Sequence, residues 1–184
     1  MQELLNRWGV KMDYNLLLAK WNESQRSYHT QTHLVDLINQ INEIKGLSEK
    51  QYDKLMLCAL FHDIVYEPTK SDNEEMSAEF FENCCSDRDN PDLLEVKQMI
   101  LDTKTHEATT ELSDIFNKLD MNVVERDYER LLEWETGIYN EFSFAGPMYK
   151  EYRLKFLESL LDKYPSNTDN LLKLIEYVKT NYES

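Results

Sequence analysis

The sequence has little glycine and proline, with four residues of each among 184. Folds with many tight turns depend on these two residue types, so their scarcity argues against such folds. Leu, Glu, Lys and Met, which favour helices, are plentiful. A chain of this length with 41% apolar residues suits one hydrophobic core. The composition therefore predicts an all-α fold in a single domain.

Long apolar runs are also missing. No stretch of about 18 apolar residues occurs, and the first residues lack the basic start and apolar core of a signal peptide. The three cysteines, Cys58, Cys84 and Cys85, form an odd set with a vicinal pair, which is a poor disulfide framework. These features predict a cytoplasmic protein with reduced thiols and no membrane partner.

Positive charge is in deficit, since the formal net charge is −15 at pH 7. Such a chain repels the phosphate backbone, which argues against general binding to DNA or RNA polymers. A small anionic ligand remains compatible if a metal ion supplies local positive charge. Exposed Tyr and Trp side chains would be compatible with a homodimer, although no segment specifies one.

The pair His62-Asp63 stands at the end of the apolar run Leu55–Phe61. Burying such polar groups without a partner costs about 1–3 kcal/mol for each neutral group, and more for a carboxylate. A divalent cation is the natural partner, because imidazole and carboxylate bind Zn, Mn, Fe, Ni and Co. The pair therefore predicts a metal site with further ligands elsewhere in the chain.

Helix signals place the histidines near helix ends. Thr30 can cap a helix whose apolar residues run to Ile44, which puts His33 in its first turn. Ser48 and Gln51 match a capping box that opens the helix carrying the apolar run, which is apolar on nearly every side and so predicted to be buried. Pro68 stops it.

Further helices are predicted along the rest of the chain. Capping boxes at Ser71 and Asp72 predict a helix from about Asp72 to Cys85. Its predicted inward residues are Met76, Phe80 and Phe81. The other predicted helices run from about Pro91 to Thr103, through Tyr128, Leu131 and Leu132, from Tyr149 to Leu161 after a break at Gly146-Pro147, and from about Asp169 to Tyr182.

Several strings then resemble one family. The order His33, His62-Asp63, Asp120 is similar to the pattern of the HD superfamily of metal-dependent phosphohydrolases. Longer strings resemble a small bacterial family of predicted HD phosphohydrolases: Tyr28-His29-Thr30-x-x-His33, Phe61-His62-Asp63-x-Val65-Tyr66-x-Pro68, Ser71-Asp72-Asn73-Glu74-Glu75-x-Ser77-Ala78, Thr103-x-x-His106 and Tyr152-Arg153.

This resemblance implies an HD-type helical bundle over residues 1–184. The metal-site core would cover about 26–125, and the C-terminal helices 126–184. The four residues His33, His62, Asp63 and Asp120 would hold one divalent ion, for which Mn, Ni, Co, Zn, Fe and Mg are the candidates. Asp114 and Asp127 are alternatives for the last ligand.

Other motif residues are assigned to catalysis or substrate binding. Asp63, Glu67, Glu74 and His106 are the catalytic candidates, with Glu75 as a further carboxylate close to the His-Asp pair. Arg26 and Arg153 are predicted to bind phosphate, because arginine forms two parallel hydrogen bonds with it. Asp72 and Asn73 are placed at a helix start, as a cap or as substrate contacts, and His29 as a substrate contact or a partner of His33.

The function implied by the resemblance is hydrolysis of a small phosphate ester or nucleotide by a metal-activated water. The alternative is a catalytically inactive HD-fold module that binds a nucleotide or metal and regulates. A third interpretation is a two-iron oxygenase, which would require His106 and Glu67 as added ligands.

Overall fold

In the computed structural model of this chain, the structure of residues 1–182 is described. This part of the chain is helical and contains no strand, which confirms the predicted all-α class. The ten α-helices are α1 Gln2–Arg7, α2 Tyr14–Trp21, α3 Gln31–Glu43, α4 Glu49–Phe61, α5 Asn73–Cys84, α6 Pro91–Asp102, α7 Glu111–Asp120, α8 Tyr128–Phe142, α9 Pro147–Lys163 and α10 Thr168–Asn181. Within residues 1–182, no helix combines the length and apolar character required to cross a membrane.

The chain divides into two compact units, with the boundary between Asp120 and Met121. The first unit holds helices α1 to α7, and the second holds α8 to α10. The sequence predicted a change from the metal-site core to C-terminal helices at about residue 125.

Helix α4 forms the centre of the first unit, where it packs against α3, α5, α6 and α7. Every residue of its apolar run, Leu55–Phe61, is buried, as predicted. Each such large side chain contributes about 1.5–3 kcal/mol by leaving water. The run therefore fixes the position of the two polar residues that follow it, His62 and Asp63.

Three predicted helix starts are confirmed. The Thr30 hydroxyl accepts a hydrogen bond from Thr32 N at the start of α3, and Ser48 and Gln51 form a complete capping box on α4. Pro91 is the first residue of α6, and Asn90 caps it. These local signals were sufficient because each depends on only a few neighbouring residues.

The start of α5 differs from the prediction. Asp72 makes no capping hydrogen bond with its side chain. Instead Asn73 is buried, and its amide bonds the backbone N–H and C=O of Glu67. Met76 was predicted to face inward but is 40% exposed, because Ser77, Ala78 and Phe81 form the buried face.

The second unit packs α10 against α8 and α9. Its interior contains an ion pair in which Arg153 Nε donates to Glu135 Oε2 at 2.6 Å. The Tyr149 hydroxyl donates to the other oxygen of Glu135 at 2.7 Å. The guanidinium also lies over the Trp134 ring, 4.3 Å from its centre. The interior of this unit therefore contains a charged pair with three hydrogen-bond or ring contacts.

Candidate metal centre

Two histidines reach the site from the ends of two helices. His33 lies in the first turn of α3, and His62 directly follows α4. Both are buried, with 7% and 1% of their surface exposed. The apolar run of α4 ends at Phe61. His62 and Asp63 therefore follow the C-terminal end of α4, and His62 lies close to the first turn of α3. The ring centres of His33 and His62 are 5.5 Å apart.

His33, His62 and Asp63 form a compact group of metal-binding atoms. One ligand atom from each lies within 4.8 Å of the other two. His62 Nε2 is 3.1 Å from Asp63 Oδ2. The structure therefore brings three of the four predicted ligands together from segments that are far apart in sequence.

Asp120, the predicted fourth ligand, is the last residue of α7. Its Oδ1 lies 3.0 Å from His33 Nε2 and 3.6 Å from His62 Nε2. The two alternatives are used elsewhere, since Asp114 pairs with Lys118 on the surface and Asp127 caps α8. Of Asp114, Asp120 and Asp127, Asp120 is thus the one that lies at this centre, beside Asp63.

The histidine nitrogens show why a cation fits this site. Nε2 of His33 and Nε2 of His62 are buried and form no hydrogen bond, although carboxylate oxygens lie 3.0 and 3.1 Å away. Unsatisfied buried polar atoms cost about 1–3 kcal/mol each. Ligands that lie about 2.1 Å from one ion stand about 3 Å apart when they are neighbours in its shell. The donor set of two imidazoles and two carboxylates therefore suits a divalent ion.

The second ring nitrogen of His62 fixes its orientation. Nδ1 lies 3.1 Å from the carbonyl oxygen of Ala59. A carbonyl only accepts, so Nδ1 carries a proton, and Nε2 is the ring atom that faces the carboxylates and could bind an ion. Rings of Trp21 and Phe116 pack on His62 with centres 5.4 and 5.3 Å away. This arrangement is typical of a metal-binding histidine.

Electrostatics at the centre favour charged carboxylates. Burial would raise the pKa of Asp120, but its close contacts with His106, His33 and His62 lower that pKa well below its usual value. Burial would likewise lower the pKa of His62, but Asp63 and Asp120 outweigh it and raise the pKa well above its usual value. Burial would also raise the pKa of Asp63, but the charges of His62 and His29 outweigh this effect and lower the pKa. Cation and proton compete for such a cluster.

His106 approaches the centre from the turn between α6 and α7. Its Nε2 lies 3.1 Å from Asp120 Oδ2, the oxygen that does not face His33. The φ angle of His106 is +54°, a backbone conformation that residues other than glycine rarely adopt. The predicted catalytic residue is therefore in contact with a predicted ligand.

His29 also belongs to this cluster. Its ring centre is 6.1 Å from that of His33 and 4.4 Å from that of Tyr66. Its charge is one of the causes that lower the pKa of Asp63. All four histidines of the chain thus gather around the two aspartates.

The three glutamates after His62-Asp63 differ in their surroundings. Glu67 accepts a hydrogen bond from the Thr69 hydroxyl at 3.0 Å. Glu75 pairs with Lys104 on the surface. Glu74 is partly buried, and its pKa is raised by burial and by the charge of Asp63. Of the three, Glu74 has the surroundings expected of a general base.

The predicted phosphate-binding arginines have internal partners. Arg26 is buried and donates to the carbonyl oxygens of His29 and Ile64 at 3.0 and 3.3 Å. These bonds connect the loop before α3 to the loop after α4. Arg153 lies in the second unit and pairs with Glu135. Asp72 is exposed, whereas Asn73 is occupied by the backbone of Glu67.

Some residues around the centre were not found from the sequence. Trp21 packs on His62 and donates its Nε1–H to the Leu60 carbonyl at 3.0 Å. Phe116 packs on the other side, and Asp102 supports the turn that carries His106. Nothing in the local sequence marks the tryptophan or phenylalanine, because an aromatic residue at helical spacing is usually only part of the core.

Comparison of the chain with protein-family models, with curated proteins and with solved structures found no match. Membership of the HD superfamily therefore stays a prediction that depends on the motif residues.

Proposed function

We propose that this chain is a metal-dependent phosphohydrolase of the HD type that acts on a small phosphate ester or nucleotide. One observation carries the proposal: four metal-binding side chains converge, those of His33, His62, Asp63 and Asp120. The buried Nε2 atoms of the two histidines form no hydrogen bond. The HD-type motif predicted from the sequence assigns the same four residues as metal ligands.

These four side chains would hold the ion. When bound, the cation supplies positive charge that lowers the pKa of a coordinated water and stabilises developing charge on phosphoryl oxygens. Glu74 would accept the proton from the attacking water, since burial and Asp63 raise its pKa. His106 would orient Asp120 through their contact.

The decisive experiment uses metal-stripped protein that is reloaded separately with Mn, Co, Ni, Mg or Zn. Each form is tested on a panel of nucleotides and simple phosphate esters. We expect metal-dependent hydrolysis that Asp63→Asn abolishes while its helical circular dichroism persists. Asp114→Asn is the matched control, because Asp114 is exposed and bonds Lys118. A folded, metal-loaded wild type without turnover on any compound would contradict the proposal.

One observation favours a second candidate, a non-catalytic module that binds a metal ion without turning over a phosphate compound. Both arginines predicted to bind phosphate have internal partners, Arg26 on two carbonyls and Arg153 on Glu135. Saturable binding of the metal ion, without hydrolysis of any compound in the panel, would support this module instead.

A further inference from the structure

The turn between α6 and α7, residues 103–110, carries His106 and has an unusual backbone. His106 has a φ angle of +54°, the only positive φ of a residue other than glycine among residues 1–182. Such a conformation costs on the order of 1–3 kcal/mol and persists only where the surroundings enforce it. Something in this turn must therefore hold His106 in place.

Asp102 makes the contacts that hold it. The backbone carbonyl of Asp102 accepts a hydrogen bond from His106 N at 2.9 Å. Its carboxylate oxygen Oδ2 accepts two more from Thr109, from the backbone N–H at 2.9 Å and from the hydroxyl at 2.7 Å. Asp102, the last residue of α6, thus bonds both the middle of the turn, at His106, and its far side, at Thr109.

The carboxylate of Asp102 is itself fixed. Gln98 Nε2 donates to Oδ1 at 2.7 Å from one turn earlier in α6. Asp102 is 4% exposed, so both oxygens depend on these partners rather than on water. Hydrogen bonds to a charged acceptor are stronger than neutral ones, which suits a residue that must enforce an unfavourable backbone angle.

The turn ends at the proposed metal centre. His106 Nε2 lies 3.1 Å from Asp120 Oδ2, and Asp120 Oδ1 lies 3.0 Å from His33 Nε2. A contact that orients a ligand changes metal affinity even where it never touches the ion. The path therefore runs from Asp102 through the turn to His106 and on to Asp120.

We propose that Asp102 is a positioning residue for the metal centre: by holding the 103–110 turn it places His106 against Asp120 and so sets how Asp120 faces the ion. This inference depends on the proposed metal centre, but not on hydrolysis.

The test is a Co²⁺ titration of the full chain, followed by visible absorption, together with hydrogen exchange of the metal-free protein. For Asp102→Ala and Thr109→Val we expect Co²⁺ affinity to fall about 10- to 100-fold, with an altered Co²⁺ spectrum. The amides of residues 103–110 should exchange faster in both variants. Thr109→Ser keeps the hydroxyl and should restore both readouts.

Asp53→Asn is the matched control for general destabilisation. Asp53 is a buried carboxylate of the same unit, but it bonds Arg7 and Trp8 instead of the turn. It should leave Co²⁺ affinity and the exchange of residues 103–110 unchanged. If Asp102→Ala does not fold, the comparison of Thr109→Val with Thr109→Ser decides.

Wild-type affinity and spectrum in folded Asp102→Ala, or in Thr109→Val, would overturn the role of Asp102 alone. A wild type that binds no Co²⁺ would overturn the metal centre itself. Metal binding with the expected variant effects but without hydrolysis would support Asp102 and contradict only the proposed enzyme.

Discussion

His106 Nε2 and Asp120 Oδ2 lie 3.1 Å apart, while the other oxygen of Asp120 faces His33 at 3.0 Å. One carboxylate therefore links two histidines that come from different segments. The backbone of His106 has a positive φ angle of 54°.

The contact between His106 and Asp120 predicts the effect of His106→Asn. Asparagine tolerates positive φ, so we expect the fold to persist. Loss of the imidazole should weaken Mn²⁺ binding about 10- to 100-fold, because Asp120 loses its orienting partner. Isothermal titration of Mn²⁺ into the metal-stripped variant measures this change.

His106→Ala separates the backbone effect from the ring effect. Alanine disfavours positive φ by roughly 1–2 kcal/mol, so urea unfolding should show a lower free energy of unfolding than for His106→Asn. Unchanged Mn²⁺ affinity in both variants would show that the ring does not orient Asp120.

Glu74 and Glu75 are neighbours with different surroundings, which gives a matched pair of variants. Glu74 has a pKa raised by burial and by Asp63, whereas Glu75 pairs with Lys104 on the surface. We expect Glu74→Gln to lower kcat about 10²- to 10⁴-fold, the usual contribution of a general base. Glu75→Gln should retain nearly full kcat. Steady-state kinetics of the metal-loaded variants distinguish them, and equal losses would argue against Glu74 as the base.

Three helix starts of this chain, those of α3, α4 and α6, could be predicted from local sequence. Thr30, Ser48 and Pro91 act on residues within one turn, so their patterns carry the necessary information. The apolar run before His62 was also sufficient to predict burial of α4, because a helix that is apolar all round has no solvent face.

Contacts between distant segments could not be predicted in this way. Arg26 matched the expectation for a phosphate contact, but its guanidinium bonds the carbonyls of His29 and Ile64. Arginine suits both roles, and the choice depends on which oxygens the fold brings close. The Asn73 amide likewise bonds Glu67 because the loop returns to the start of α5. Local periodicity in the sequence predicts neither the contacts of Arg26 nor those of Asn73.

The ion pair of the second unit predicts a large effect on stability. Arg153→Met would leave Glu135 buried, with 0% exposure, and without its cation. Breaking one side of a buried pair costs about 3–5 kcal/mol, so we expect a loss of that size in the free energy of unfolding. The double variant with Glu135→Gln should recover part of the loss, because it removes the uncompensated charge.

Urea unfolding of the single and double variants measures these energies. A loss below about 1 kcal/mol for Arg153→Met, the size expected of an exposed pair, would contradict an internal role for this arginine.

Asp102 predicts a specific dependence of stability on pH. Burial would raise its pKa, but hydrogen bonds from Gln98 and Thr109 lower it below the usual value. A carboxyl group with a lowered pKa in the folded state stabilises the protein fully above its unfolded pKa of about 3.9. This contribution is lost as the pH falls through the lower folded pKa. Asp102→Asn has no charge to lose there. Its free energy of unfolding should therefore fall less than that of the wild type between about pH 5 and about pH 3, roughly one pH unit on either side of the unfolded pKa. Urea unfolding at both pH values measures the difference, and equal losses in the two proteins would mean that the charge of Asp102 does not stabilise the turn.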